Sequence, residues 1–160
     1  VSTRDRVVYC AVTLLGDYGK GSPEVFAIWR DVLPPEWTDA QVRQYAATKE
    51  WCGGFALHAL RLGGATQEHW HDGIGFIGPL KLRPMPEGSQ PRAGDIAVKE
   101  HPFAHHMVVE YWNHEKDWGD LAGNTPTAAR HHHASSDGVT FYSIEPLVAI
   151  ADAAPPPEAA

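Results

Sequence analysis

Cysteine is scarce in this chain of 160 residues: Cys10 and Cys52 are its only two, too few for a disulfide framework. Long apolar runs are missing too. The longest, Val7 to Leu15 with Thr13 inside it, falls short of the ~20 residues that a spanning helix needs, so no membrane partner is expected. Arg4 and Arg6 imitate the basic start of a signal peptide. Asp17, Tyr18, Gly19 and Lys20 then stand where a small-residue cleavage site belongs, so the stretch reads as a core helix and leaves the compartment open. Positive charge is also in short supply, with 13 Lys and Arg against 20 Asp and Glu and a formal net charge of −7. A nucleic-acid backbone or an anionic lipid surface calls for the opposite balance. No internal repeat is visible.

What is present is a globular composition, 43% hydrophobic and 21% charged, with a mean hydropathy of −0.32. That is enough for one domain with its own core. The domain is read over residues 1–150, and residues 151–160 as a tail or the start of a linker, since Pro155 to Pro157 favour an extended chain,. The first part is helical. Val7, Val8, Ala11, Leu14 and Leu15 recur at helical spacing, with Gly16 as the stop. Ser22-Pro23 caps a helix running to Val32, and Pro34-Pro35 ends it. Thr38 and Gln41 fit a capping box. A further helix is expected over Cys52 to Leu62, stopped by Gly63-Gly64. Beyond Pro79 the pattern changes to short β-branched and aromatic runs: Ile96 to Val98, Met107 to Trp112 and Val139 to Ile144. Gly73 to Gly78 reads as an ordered loop. Helices followed by strands indicate an α+β domain.

One segment invites chemistry: Trp51-Cys52-Gly53-Gly54-Phe55-Ala56. A cysteine at a helix N-terminus lies where unpaired backbone N–H groups and the helix dipole favour the thiolate. The small residues behind it leave room for a substrate backbone. Against this stands the ordinary fate of a lone cysteine, which is burial in a core. Farther on come Pro91-Arg92-Ala93-Gly94-Asp95-Ile96, then His105-His106-Met107-Val108, then Gly123-Asn124. A thiol, an imidazole and an amide in that order are the parts of a cysteine-nucleophile triad.

In these motifs, from Glu50 to Ile144, the chain resembles the NlpC/P60 and CHAP cysteine peptidases and amidases, a papain-like superfamily acting mainly on peptidoglycan. The resemblance implies a papain-like fold, with the nucleophile at a helix start and an antiparallel sheet after it. It also implies Cys52 as nucleophile, His106 as base and Asn124 as the group that orients the imidazole. Trp51, Gly53, Tyr45 and His105 are the accompanying candidate substrate contacts. Two departures stand out: Trp51 occupies a place where many relatives carry Asp or Gln, and Tyr45 lies nearer to the cysteine than the tyrosine of the NlpC/P60 branch. The oxyanion hole then rests mainly on backbone N–H, with that of Cys52 first. The implied substrate is the peptidoglycan stem peptide, cut at its bond to muramic acid or within the peptide. A phage lysin, a tail-associated wall enzyme and a bacterial effector all fit, with a wall-binding domain C-terminal to this segment as a possible companion. No cofactor is implied.

Between the two adjacent histidines the choice rests on strand parity. His105 shares its face with Met107, Val109 and Tyr111, the more continuously apolar set, and is expected to face the main core. His106 is then left at a half-open face near a groove. Asp120 is a rival orienter. Two alternatives remain open: a papain-like module without activity that binds wall or builds a tail, and a zinc amidase using His101, His105 and His106. No metal ligand set is assigned. His131-His132-His133 reads as a solvated loop, His69-Trp70-His71 lacks partners at zinc spacing, and the Asp17 to Glu24 segment lacks the alternating carboxylates of a strong calcium loop. Most of the six tryptophans are expected in the core, with one or two rimming a groove.

Overall fold

The structure is a computed structural model and describes residues 1–65 and 82–153. The loop expected at Gly73 to Gly78, the His69-Trp70-His71 group and the prolines of the tail lie outside the described residues. Four helices come first: α1 (Thr3–Thr13), α2 (Pro23–Val32), α3 (Asp39–Thr48) and α4 (Cys52–Leu62). Caps set most of these limits. The Ser2 hydroxyl accepts from the Asp5 N–H while the Asp5 carboxylate accepts from the Ser2 N–H, so α1 starts upstream of the apolar repeat,. It ends at Leu14, and Gly16 instead bridges to Ala128. Ser22 caps α2, and Thr38 with Gln41 closes the box on α3, as the sequence predicts.

The second half is a sheet of five antiparallel strands, β1 (Ile96–Lys99), β2 (His105–His114), β3 (Asp117–Ala122), β4 (Ala129–His133) and β5 (Val139–Tyr142), in the order β4-β3-β2-β1-β5. Among the described residues one more helix, α5 (Glu145–Ala153), follows. The domain is thus α+β, helices before sheet. Three expectations change. His131 to His133 are not a loop but the end of an edge strand. The run Val139 to Ile144 leaves the sheet at Tyr142. Residues 151–153, read with the tail, are the last turn of α5, where Asp152 accepts from the Thr3 hydroxyl.

Both faces of the sheet are apolar. Ile96, Val98, Val108 and Leu121 join the core built from α1, α2, α3 and α4, while Ala97, Met107, Val109, Trp118 and Ala122 form a smaller cluster on the other side. The helix α4 is buried on most sides, with Phe55, Ala56, Leu57, Ala59 and Leu60 out of solvent, as befits a central helix. A Cβ on Gly54 would come within 2.9 Å of the Trp29 ring, so only glycine lets α2 approach α4 this closely.

Asp95 explains the Gly94-Asp95 motif physically. Its carboxylate is 99% buried and takes three donors: Arg4 Nη1 of α1 at 2.8 Å, the backbone N–H of Ile144 at the lead-in to α5, and the backbone N–H of Arg92; the Arg4 guanidinium also donates to Ala93 O and Glu145. One side chain therefore ties the first helix, the first strand and the last helix together.

Candidate functional site

Cys52 is the first residue of α4, and no side chain caps that helix start. Its Sγ lies 3.8 Å from His106 Nδ1 and 3.9 Å from the carbonyl oxygen of Ala104. His106 reaches it because of register. It pairs with Val98 across the sheet and shares the face of Val108, the face packed against the helices. The parity argument is corrected here: the apolar set of Met107 and Val109 lies on the far side from the helices, and His106, not His105, belongs to the face of the main core.

Burial governs the electrostatics of the pair. Cys52 is 5% exposed; burial pushes its thiol up, opposed by backbone N–H groups of His106, Gly53 and Cys52 itself, with the nearby Glu50 charge adding to the rise,. Burial also pushes His106 down to about 4, helped by the neighbouring His105. The thiolate expected from the helix start is therefore not the resting form. Two neutral groups face each other.

The remaining candidates fall out differently. Gly53 is half-buried beside the sulfur, and its N–H favours the sulfur anion. Trp51 is fully buried, stacked on Tyr18 at 5.4 Å and set against Phe55, so it is a core residue and not a substrate contact. Tyr45 belongs to aromatic packing, edge-on to Trp29 at 4.8 Å and to Trp37 at 5.6 Å. His105 points to the opposite face of the sheet, where Asp120, His131, His133 and Lys99 surround it electrostatically. The rival orienter Asp120 lies there as well, its buried carboxylate taken by His131 Nδ1 at 3.2 Å and by His133 Nε2.

Asn124 does not hold the imidazole. Its carboxamide nitrogen donates to Glu50, which also pairs with Lys20 Nζ at 2.8 Å. The backbone explains the Gly123-Asn124 pair better than catalysis does. A Cβ on Gly123 would meet the Trp51 ring at 2.5 Å, and Asn124 has φ of +61°, a conformation Asn tolerates better than most residues. The turn after β3 is thereby pressed against the residue preceding the nucleophile. Sequence reasoning overlooked Glu50 and Lys20. Their only signal was Glu50's place two residues before Cys52, and Lys20 sat in a segment weighed as a calcium loop. Among the described residues no three His, Cys, Asp or Glu side chains are grouped so as to hold a metal ion.

No protein-family model, no curated protein and no solved structure matches this chain.

Proposed function

We propose that the domain is a papain-like cysteine hydrolase that cuts an amide bond of peptidoglycan, between muramic acid and L-alanine or within the stem peptide. The observation that carries this reading is the approach of Cys52 Sγ to His106 Nδ1, 3.8 Å across the junction of a helix start and a strand start. The order of elements supports it: a nucleophile at the head of a central helix, then an antiparallel sheet whose second strand opens on the base. The substrate class rests on the sequence resemblance, and so does its setting in a phage lysin, a tail-associated wall enzyme or a bacterial effector.

The chemistry starts from the neutral pair. His106 Nδ1 takes the Sγ proton as the sulfur attacks the amide carbon, a transfer whose distance shortens once substrate is seated. The oxyanion is met by backbone N–H groups at the helix start, those of Cys52 and Gly53. Nδ1 then gives its proton to the departing amine, leaving a thioester. Water adds to the thioester with His106 again as base, releasing the carboxylic acid and restoring the thiol. Asn124 and Lys20 act on this site through Glu50, as positioning residues for the segment leading into Cys52.

The test is a digest of purified cell wall followed by mass spectrometry. Fragments with new amine termini and no new reducing sugar ends are expected, and none with Cys52→Ala at unchanged melting temperature. New reducing ends alone mean glycoside cleavage and overturn the reading. A second reading, an inactive wall-binding module of the same architecture, draws on the 5% exposure of Cys52; wall binding without any released fragment would establish it.

A further inference from the structure

The face of the sheet turned away from Cys52 carries a cleft of about 550 Å³ that the hydrolase reading does not use. Its floor is aromatic. Trp112 and Phe141, both half-buried, meet edge to face at 5.3 Å, and Trp112 leans on the buried Trp118 at 6.1 Å. Its charged lining has one sign: Glu87, Glu115 and Asp137 are carboxylates, His114 is the other titratable side chain, and neither Lys nor Arg is among the lining residues described.

The walls are built into the fold. On one side Met85 N–H donates to Phe141 O at 2.8 Å and Pro84 bridges to Tyr142, so the segment carrying Glu87 is fastened along β5. A turn closes that segment, with Ser89 N–H on Pro86 O. On the other side Asp137 N–H donates to the Ser135 hydroxyl and Val139 N–H to Ser136 O. The volume falls within the range of small-molecule sites, which are mostly preformed.

Aromatic faces attract cations through the ring quadrupole, and carboxylates at the rim add Coulomb attraction. An anion is repelled by the same rim, and a neutral apolar ligand has nothing to offset desolvation of three carboxylates. We propose that this cleft binds a ligand through an alkylammonium group, with the cation over Trp112 and Phe141 and the carboxylates around it. The proposal is independent of catalysis at Cys52.

Three probes of equal chain length test it: n-butylammonium, n-butanol and butyrate. Each is titrated into isotopically labelled protein while the amide signals of residues 85–90, 112–115 and 136–141 are followed by NMR. Saturable shifts with n-butylammonium alone are expected. In the triple variant Glu87→Gln, Glu115→Gln, Asp137→Asn the affinity should drop by about tenfold or more, with an unchanged melting temperature. Trp112→Phe, which keeps an aromatic floor, should retain binding more weakly. Equal shifts with n-butanol, undiminished binding in the triple variant, or no saturable shift with any probe would overturn the proposal. Wall digestion by the triple variant should match that of the parent protein, so failure here and failure of the hydrolase reading are separable.

Discussion

At neutral pH the Cys52 thiol and the His106 imidazole rest as two uncharged groups, because withdrawal from water disfavours the thiolate and the imidazolium alike,. The helix dipole favours the anion, and burial outweighs it. The consequence is a pH profile unlike that of a preformed ion pair. Protonation of His106 removes the base, and it occurs near pH 4, so kcat/KM should stay flat from neutrality down to about pH 5 and fall only below that. Iodoacetamide labelling of Cys52 in the free protein should instead climb steadily above pH 7 as the thiol ionises. An activity limb near the ordinary imidazole value of ~6.5, with fast labelling at neutral pH, would mean that the charged pair is the resting state. His106→Ala should lose at least ~100-fold in rate. His105→Ala, on the other face of the sheet, should lose far less. Asn124→Gly removes the carboxamide while easing the left-handed backbone, and a loss below ~10-fold is expected if the side chain works only through Glu50, against ~100-fold for an orienting group. Steady-state rates with circular dichroism as the control for folding decide all three.

The close approach of the turn after β3 to the start of α4 puts the tightest steric demand near the site. Gly123→Ala would place a methyl group 2.5 Å from the Trp51 ring, and the overpacking should cost about 1–3 kcal/mol, read as a lower denaturation midpoint with unchanged slope. Activity should fall too, since Trp51 directly precedes the nucleophile. Much at this scale was legible in the sequence. The caps at Ser22 and Thr38 followed from local hydrogen-bonding rules, which need only neighbouring residues, and the limits of α4 from its apolar spacing and the Gly63-Gly64 stop,. β3 and β4 were not legible. Trp118-Gly119-Asp120-Leu121 and Arg130-His131-His132-His133 are poor in β-branched residues, and their pairing depends on tertiary partners, above all the buried Asp120 between His131 and His133. The period of two shows only in the fold, with residues 129, 131 and 133 half-buried and residues 130 and 132 exposed. The Cys52–His106 approach was foreseen from motif order although its parity argument had the two faces reversed. A strand of Met107, Val108 and Val109 is apolar on both sides, and alternation alone cannot tell which side meets the helices.

For the molecule as a whole, Asp95 is the most exposed point of failure in an energetic sense, though it is 1% accessible. Asp95→Ala takes the buried carboxylate from the Arg4 guanidinium, itself 5% exposed, and leaves it only Glu145 and the Ala93 carbonyl; it also unfastens β1 from α1 and α5. Breaking a buried pair from one side costs about 3–5 kcal/mol, a large part of what a domain of this size holds. Thermal unfolding should show a drop of many degrees. The double change Arg4→Met with Asp95→Leu should recover part of it, because no lone charge then remains buried.

The contact between Thr3 and Asp152 has a further consequence, for how such a unit can be rewired. It brings the first turn of α1 beside the last turn of α5, so the two ends of the described chain sit a hydrogen bond apart. A short glycine-rich splice from residue 153 to residue 2 would span that gap with little loop-closure entropy. The chain could then be reopened at Glu36, in the exposed turn between α2 and α3, giving a circularly permuted protein that keeps Cys52 and His106 on one uninterrupted stretch. By the same geometry the domain could be spliced into a surface loop of a host protein through both ends at once, as a cassette and not only as a bead on a string.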